Sequence, residues 1–345
     1  MKTTTFTAPL AGIHHITTFA SDPQTNVDFY TNILNLRLVK VTINFDDPST
    51  YHLYFGNNAA CPGSILTFFP ITRAVPGRRG IGEVTATAFA IPAGSVHYWQ
   101  TRLARLGVGT SLPQHRFGQS VLSFNDPDGT NLELIETDTP AATSASASST
   151  LTSTAAASVE SAAIRSHQTD VPASSAITGF FGATVTVPSA SRTPQLLTDL
   201  FGFRKLNTEG DRTRFAAASN AVEPGRFIDL VSPASTTAFN RPVVGAGSVH
   251  HIALRVFDDA SQAAISAKLT SAGYHVTEQR DRCYFKSIYF RETGGVLFEI
   301  ATDGPGFTTD ESPDALGTAL KLPPWLEKKR AQIVSALPRI TNVSY

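Results

Sequence analysis

The sequence predicts an α+β fold of four βαβββ modules arranged as two domains with curved mixed sheets, and three observations lead there. One order of elements, a strand, an amphipathic helix and then three strands ending in an apolar one, occurs four times along the 345 residues. A long stretch of Ala, Ser and Thr separates the second occurrence from the third. The 22 Phe, 24 Gly and 21 Pro are scattered without a short period, which suits many short strands and turns and disfavours a long helical bundle.

The first module runs HHITTFA, a helix around TNVDFYTNIL, then LVKVTINF, YHLYFG and SILTFFP. The second runs EVTATAFAI, the helix SVHYWQTRLARLG, then QSVLSFN, the turn DPDG and NLELIE. The third runs GATVTVP, the helix TPQLLTDLFG, then TRFAAAS and FIDLVSP. The fourth runs HHIALRV, the helix SQAAISAKLTSAG, then HVTEQ, KSIYFRE, the Gly294-Gly295 turn and VLFEIAT. In each module the helix covers one sheet face, so the other, concave face must pack on a partner module or line a cavity. The expected domains are 1–137 (modules one and two) and 177–310 (modules three and four), with 138–176 as linker and 311–345 as a tail. The linker composition cannot bury enough apolar surface to offset its ordering entropy. In the tail LPPWLEKKRAQIVSAL reads as a helix, with Pro324 near its start and Trp325, Leu326 and Ile333 as apolar anchors that dock it on the body.

Composition narrows the function. Lys+Arg and Asp+Glu number 28 each and charged residues make up only 16%, so no electrostatic footprint points to nucleic acid or to an anionic membrane. No apolar run approaches the ~20 residues that a spanning helix needs. The opening MKTTTFTAPLAGIHHITTF has no apolar stretch of the secretory kind, so the expected location is cytoplasmic. Two cysteines, Cys61 and Cys283, suit a reducing compartment and are too few for a disulfide framework or a thiolate metal site.

Four of the nine histidines form two tandem pairs, His14-His15 and His250-His251, each opening a strand that begins a module. Successive strand side chains face opposite sides. His250, Ile252, Leu254 and Val256 share the apolar face that should meet the helix, which leaves His251 on the concave side, and the same count assigns His15. In the last strand of module four, Val296, Phe298 and Ile300 form the apolar face, leaving Glu299 opposite. Two neutral imidazoles and one carboxylate form a set that holds a divalent metal on one side and leaves other positions for ligands. The equivalent of His15 and His251 is Thr85 in module two and Gly182 or Ala183 in module three. The equivalent of Glu299, four residues after the turn glycine, is Thr67 in module one, Glu133 in module two and Asp229 in module three. Only modules one and four supply the full set, which predicts that they share a metal cavity and that two and three pair as a structural half without metal. Among the other histidines, His97 reads as helix surface, His167 as linker and His52 as the one that reaches a cavity.

These residues resemble the βαβββ modules of the vicinal oxygen chelate superfamily, which contains the glyoxalase and bleomycin-resistance folds. Within it the chain is similar to the ring-cleaving hydroquinone dioxygenases that act in aromatic degradation or quinone detoxification. The segments GIHHITTFASDPQTNVDFYTNILNLRLVKVTINFDDPSTYHLYFG, SVHHIALRV, DRCYFKSIYFRETGGVLFEIATDGPGF and LPPWLEKKR carry the resemblance. It implies Fe(II), with Mn(II) accepted by the same donors, held by His15, His251 and Glu299. It also implies substrate-side roles for His14, Thr17, His250, Arg282 and Tyr289, and as partners a small aromatic diol, hydroquinone-like or catechol-like, and O2. A homo-oligomer is compatible with it. Arg282 suits stabilisation of developing oxyanions, and Tyr289 suits donation of a hydrogen bond or proton.

Two other classes use such modules: non-oxidative metalloenzymes, including glutathione-linked isomerases and lyases, and metal-free proteins that sequester aromatic compounds or drugs. The isomerases generally need a second carboxylate as base, and here Thr67 stands in its place. A sequestering protein has no need of the triad.

Overall fold

The computed structural model describes residues 10–138, 170–218, 224–233 and 241–345. Module one is β1 (Ile13–Ala20), α1 (Pro23–Asp28, continued by a wider turn at Phe29–Ile33), β2 (Arg37–Asn44), β3 (Asp47–Gly56) and β4 (Ile65–Pro70). Module two is β5 (Glu83–Pro92), α2 (Val96–Arg105), β6 (Gln114–Arg116), β7 (Gln119–Asn125) and β8 (Asn131–Thr137). Module three is β9 (Gly179–Thr186), α3 (Thr193–Gln195, continued at Leu196–Leu200), β10 (Arg204–Glu209), β11 (Arg212–Ala216) and β12 (Phe227–Val231). Module four is β13 (Val249–Val256), α4 (Asp259–Ser271), β14 (Arg280–Asp281), β15 (Lys286–Arg291) and β16 (Leu297–Thr302). α1 and α4 start where capping chemistry is supplied. Asp22 accepts from the amide of Thr25 ahead of Pro23, and Asp258 accepts from the amide of Ser261.

Two eight-stranded mixed sheets result. One runs β14-β15-β16-β13-β1-β4-β3-β2 and joins modules four and one; the other runs β10-β11-β12-β9-β5-β8-β7-β6 and joins modules three and two. The pairing expected from the distribution of His and Glu is therefore the observed one. β1 and β13 meet antiparallel at the centre of the first sheet, with Thr17 opposite His251 and His15 opposite Ala253. The helices bury their apolar faces on the convex sides: Tyr30 packs on Phe55 and Phe68, while Trp99 and Leu103 of α2 are fully buried.

Some elements differ from expectation. β10 was not foreseen, because RKLNTE is exposed at every position and shows no apolar alternation. HVTEQ forms no ladder of its own; Thr277 is tied to β15 by its amide and hydroxyl, and the short strand of this edge is Arg280–Asp281. Most of the expected linker, 139–169, lies outside the described residues. Its last residues are docked on α2, where Arg102 pairs with Asp170 at 2.7 Å, the Trp99 indole donates to the Ser175 carbonyl and Val171 is buried. In the tail a tight turn at Glu327–Lys329 leads into α5 (Arg330–Ala336), with Ile333 buried and Leu326 partly so. Trp325 is 55% exposed and only leans edge-on against Phe45, so it is a weaker anchor than expected. Among the described residues no helix is long and apolar enough to cross a membrane.

The tail is also held by charge. Lys40 of β2 is fully buried, donates to the Phe307 carbonyl, and pairs with Asp310 and Glu311 beneath the ring of Tyr284. Replacing Lys40 by Met leaves the buried Glu311 carboxylate uncompensated and should lower unfolding stability by about 3 kcal/mol or more in denaturant titration. Burial also raises the Glu83 carboxyl from 4.5 to about 7, against the opposing hydrogen bond from the Gly80 amide. The native state then binds more protons than the unfolded state between those values, so stability falls as pH rises through that window and levels off above it. Glu83→Gln should be more stable than the wild type above pH 7 in thermal melts, with the difference vanishing below pH 4.5.

Candidate metal centre

The first sheet curls so that β1, β13, β15 and β16 present one polar cluster on its concave side. Glu299 is wholly buried, and the Ser287 hydroxyl, from the adjacent strand, donates to its Oε1. Its Oε2 stands 2.8 Å from Nε2 of His251 and 3.4 Å from Nε2 of His15, without hydrogen-bond geometry, and has no donor. The two Nε2 atoms are 3.2 Å apart. His15, His251 and Glu299 thus converge as a group able to hold a metal ion. Cis ligands at ~2.1 Å from a single ion lie about 3 Å apart, which matches these separations.

The protonation pattern agrees with that use. The Nδ1 atoms of His14 and His15 are 2.9 Å apart, and those of His250 and His251 are 2.7 Å apart. When His15 and His251 carry their protons on Nδ1 and donate them outward, both Nε2 lone pairs face Glu299. Burial, opposed by the charge of Glu299, lowers the His251 imidazole below its usual range and keeps it neutral.

Strand parity located His15, His251 and Glu299 correctly but misplaced their neighbours. His14 and His250 are the extra residues of two β-bulges between β1 and β13, the register slipping at Ile13/His15 and again at Thr17/Thr18. Bulges re-aim side chains, so each outer imidazole turns to meet its inner neighbour instead of facing the helix. His250 even lines the cavity, against Phe19 at 5.1 Å. Thr17 lies at the centre of the cluster, its hydroxyl 2.9 Å from Nε2 of His251 and 2.8 Å from that of Thr67. Arg282 and Tyr289 both line the cavity; the Arg282 Nε donates to the Tyr289 hydroxyl at 3.1 Å, and its guanidinium pairs with Asp46 at 3.0 Å. Burial, helped by the charge of Glu299, raises the Tyr289 phenol, which therefore stays protonated.

The cavity in front of the cluster holds about 280 Å³, and Phe19, Phe69, Phe285 and Tyr54 form much of its wall. His52 reaches it as expected, whereas His97, His115 and His275 are exposed and do not line it, and His167 lies outside the described residues. Sequence reasoning missed Ser287, Phe285, Tyr54 and Asp46. The parity of Tyr289 pointed to Ser287, and that of His52 pointed to Tyr54, but the two loop residues carried no such signal.

The second sheet supplies an internal comparison. Glu133, paired with Ala88 across β5 and β8, makes a two-pronged ion pair with Arg116 at 2.7 and 2.8 Å. Asp229, paired with Thr184, is held by Arg214 at 2.7 and 2.9 Å, and that guanidinium also lies over Phe117, Phe181 and Phe227. Only about 10 Å³ remains free there. These registers make Ala86, not Thr85, the counterpart of the ligand histidines in module two, because Thr85 is the bulged residue between Val84 and Ala86. In module three the counterpart is Gly182, where a Cβ would stand 2.2 Å from the Phe227 carbonyl oxygen. The carboxylates of this sheet are compensated by guanidinium groups, whereas Glu299 faces two imidazoles.

Paired βαβββ modules that close one concave face around two histidines and a carboxylate define a glyoxalase-like fold with a group able to hold a metal ion. The chain belongs to the Glyoxalase/Bleomycin resistance protein/Dioxygenase superfamily, whose family model matches residues 12–134 and 180–300. Within it the chain groups with ring-cleaving dioxygenases. It is 41% identical over 326 residues to "Putative ring-cleaving dioxygenase MhqO" of Bacillus subtilis, covering 94% of this chain and 95% of that protein. It is 33% identical over 332 residues to the chlorohydroquinone/hydroquinone 1,2-dioxygenase of Sphingobium indicum, covering 94% and 95%. A solved Bacillus subtilis structure, 40% identical, superimposes with a TM-score of 0.85 over 98% of this chain and all of the other.

Anaerobic loading with Fe(II) or Mn(II), read by elemental analysis, should give one ion per chain. Glu299→Gln should weaken that binding at least tenfold, whereas Glu133→Gln should leave it unchanged.

Proposed function

We propose that this protein is an Fe(II)-dependent, extradiol-type ring-cleaving dioxygenase that inserts both atoms of O2 into a hydroquinone-like aromatic diol. The observation that carries the reading is the buried two-histidine, one-carboxylate cluster opening onto an aromatic-walled cavity of about 280 Å³. That size suits one small ring, and the relative named chlorohydroquinone/hydroquinone 1,2-dioxygenase supports the substrate class. Iron held by His15, His251 and Glu299 would supply open positions for the diol and O2 and the electron transfer between them.

The surrounding residues have separable tasks in this reading. Phe19, Phe69 and Phe285 clamp the ring and exclude water. His14 and His250 orient the ligand imidazoles through their Nδ1 atoms. Ser287 occupies Oε1 of Glu299 and leaves Oε2 free to bind. Arg282 places a permanent positive charge at the cavity wall, where it attracts an anionic diol oxygen and stabilises charge developing on the opening ring. Tyr289, still protonated and oriented by Arg282, donates a hydrogen bond and can return a proton to the product. Thr67, standing where an isomerase of this fold would need its second carboxylate, disfavours the non-oxidative alternative.

The Fe(II)-loaded protein should consume O2 in equal amount to added methyl- or chlorohydroquinone and yield a ring-opened product by mass spectrometry. Glu299→Gln should lower kcat at least a hundredfold. One tightly bound metal per chain with no O2 uptake on any hydroquinone or catechol would instead indicate a non-oxidative metalloenzyme.

A further inference from the structure

A chain of hydrogen bonds runs from the cavity wall to the metal cluster. The Tyr54 hydroxyl is 2.8 Å from Nδ1 of His52, Nε2 of His52 is 2.8 Å from the Thr67 hydroxyl, Thr67 is 2.8 Å from Thr17, and Thr17 is 2.9 Å from Nε2 of His251. Thr17 and Thr67 are wholly buried and Tyr54 is 1% exposed.

Both ends set the direction of this chain. At the inner end, with the His251 proton on Nδ1 toward His250, Nε2 offers a lone pair and Thr17 donates to it. Thr67 then donates to Thr17, and His52 donates to Thr67 from Nε2. At the outer end burial raises the Tyr54 phenol well above its usual range, so it keeps its proton. Among the described residues its hydroxyl has one hydrogen-bond partner, Nδ1 of His52, and a buried hydroxyl without an acceptor is costly. Tyr54 therefore donates to Nδ1, which forces the His52 proton onto Nε2. The same tautomer follows from either end. Burial lowers the His52 imidazole well below its usual range, so it stays neutral and keeps one donor and one acceptor.

The arrangement repeats the one on the other side of the cluster. Tyr289 pairs with Glu299 and Tyr54 pairs with Thr67 in equivalent registers; Ser287, two residues before Tyr289, holds Glu299, as His52, two residues before Tyr54, holds Thr67. One arm orients a ligand, and the other orients a donor.

We propose that Tyr54 and His52, acting through Thr67, are positioning residues that fix the Thr17 hydroxyl as a donor into the metal centre, so that the site selects an ionised oxygen of the diol. The inference rests on the function proposed above. Once His251 serves as a ligand through Nε2, the Thr17 proton is available to an oxygen held beside it, and the direction imposed by Tyr54 prevents Thr17 from turning to Thr67. Removing the Tyr54 hydroxyl frees His52 to change tautomer, and every bond in the chain can then reverse.

The test uses anaerobic, Fe(II)-loaded protein and 2-nitrohydroquinone, whose anion absorbs visible light. The wild-type protein should bind the probe ionised at a pH below that at which the free probe ionises. Tyr54→Phe and His52→Leu should raise that midpoint by about one pH unit and weaken binding about tenfold, the scale of one charge-assisted hydrogen bond, at unchanged metal content. His52→Gln, whose amide keeps an acceptor and a donor, should retain most of the wild-type behaviour. Wild-type midpoints in Tyr54→Phe and His52→Leu would overturn the proposal, as would loss of metal in step with the shift, which would make both residues structural. Wild-type protein that binds the probe without moving its midpoint would instead refute the diol-binding reading on which the proposal rests.

Discussion

The antiparallel seam between β1 and β13 is the constraint on which the site depends. These strands are more than 230 residues apart in the chain, yet they meet at the centre of one sheet and bring His15 within 3.2 Å of His251. A regular ladder would have sent His14 and His250 to the opposite face. Two bulges, one at each tandem pair, instead turn the outer imidazoles toward the inner ones. The same seam therefore delivers both inner imidazoles and the outer ones that meet them.

The two sheets show what a buried carboxylate requires. Three of the four modules place an acidic residue four positions after the turn glycine, and each is wholly or almost wholly buried. An unpaired buried charge costs several kcal/mol. Arg116 and Arg214 remove that penalty in the second sheet and fill the space that would otherwise be a cavity. In the first sheet the corresponding volume stays open, and the charge of Glu299 falls to neutral imidazoles and to whatever cation they jointly hold. One fold thus meets the same electrostatic demand with a side chain on one side and with a binding site on the other.

The convergence of His15, His251 and Glu299 was legible because strand periodicity is robust: the face of each followed from the alternation of a single strand, and the unequal distribution of histidine among modules predicted which pair would share a sheet. Errors arose where the backbone leaves that period. Thr85 was taken for the counterpart of His251 because its bulge is invisible in EVTATAFAI, and the outer histidines were misassigned for the same reason. The β10 edge strand has no buried face and hence no pattern. Asp46 and Phe285 reach the cavity from loops, whose paths depend on contacts across the sheet and not on local sequence. Trp325 shows the limit of composition: it looked like an anchor, but Ile333 and the buried Lys40 cluster hold the tail.

Charge counting links this scaffold to the chemistry proposed for it. Glu299 with neutral His15 and His251 carries one negative charge, so a bound divalent ion leaves the cluster with one positive charge. A neutral diol would leave that charge unbalanced in a cavity walled by Phe19, Phe69 and Phe285, whereas a diol that has lost one proton brings the cluster to neutrality. Arg282 adds to the pull on an anion at the cavity wall, since Asp46, which pairs with it, is shared with Arg280. The preference for a monoanion then follows from electrostatics in a poorly solvated space before any residue touches the ligand. What the electrostatics cannot specify is which oxygen ionises and where its lone pairs point. Oriented donors at fixed positions can, and the Thr17 hydroxyl and the Tyr289 phenol stand on the two arms of the sheet that flank the cluster.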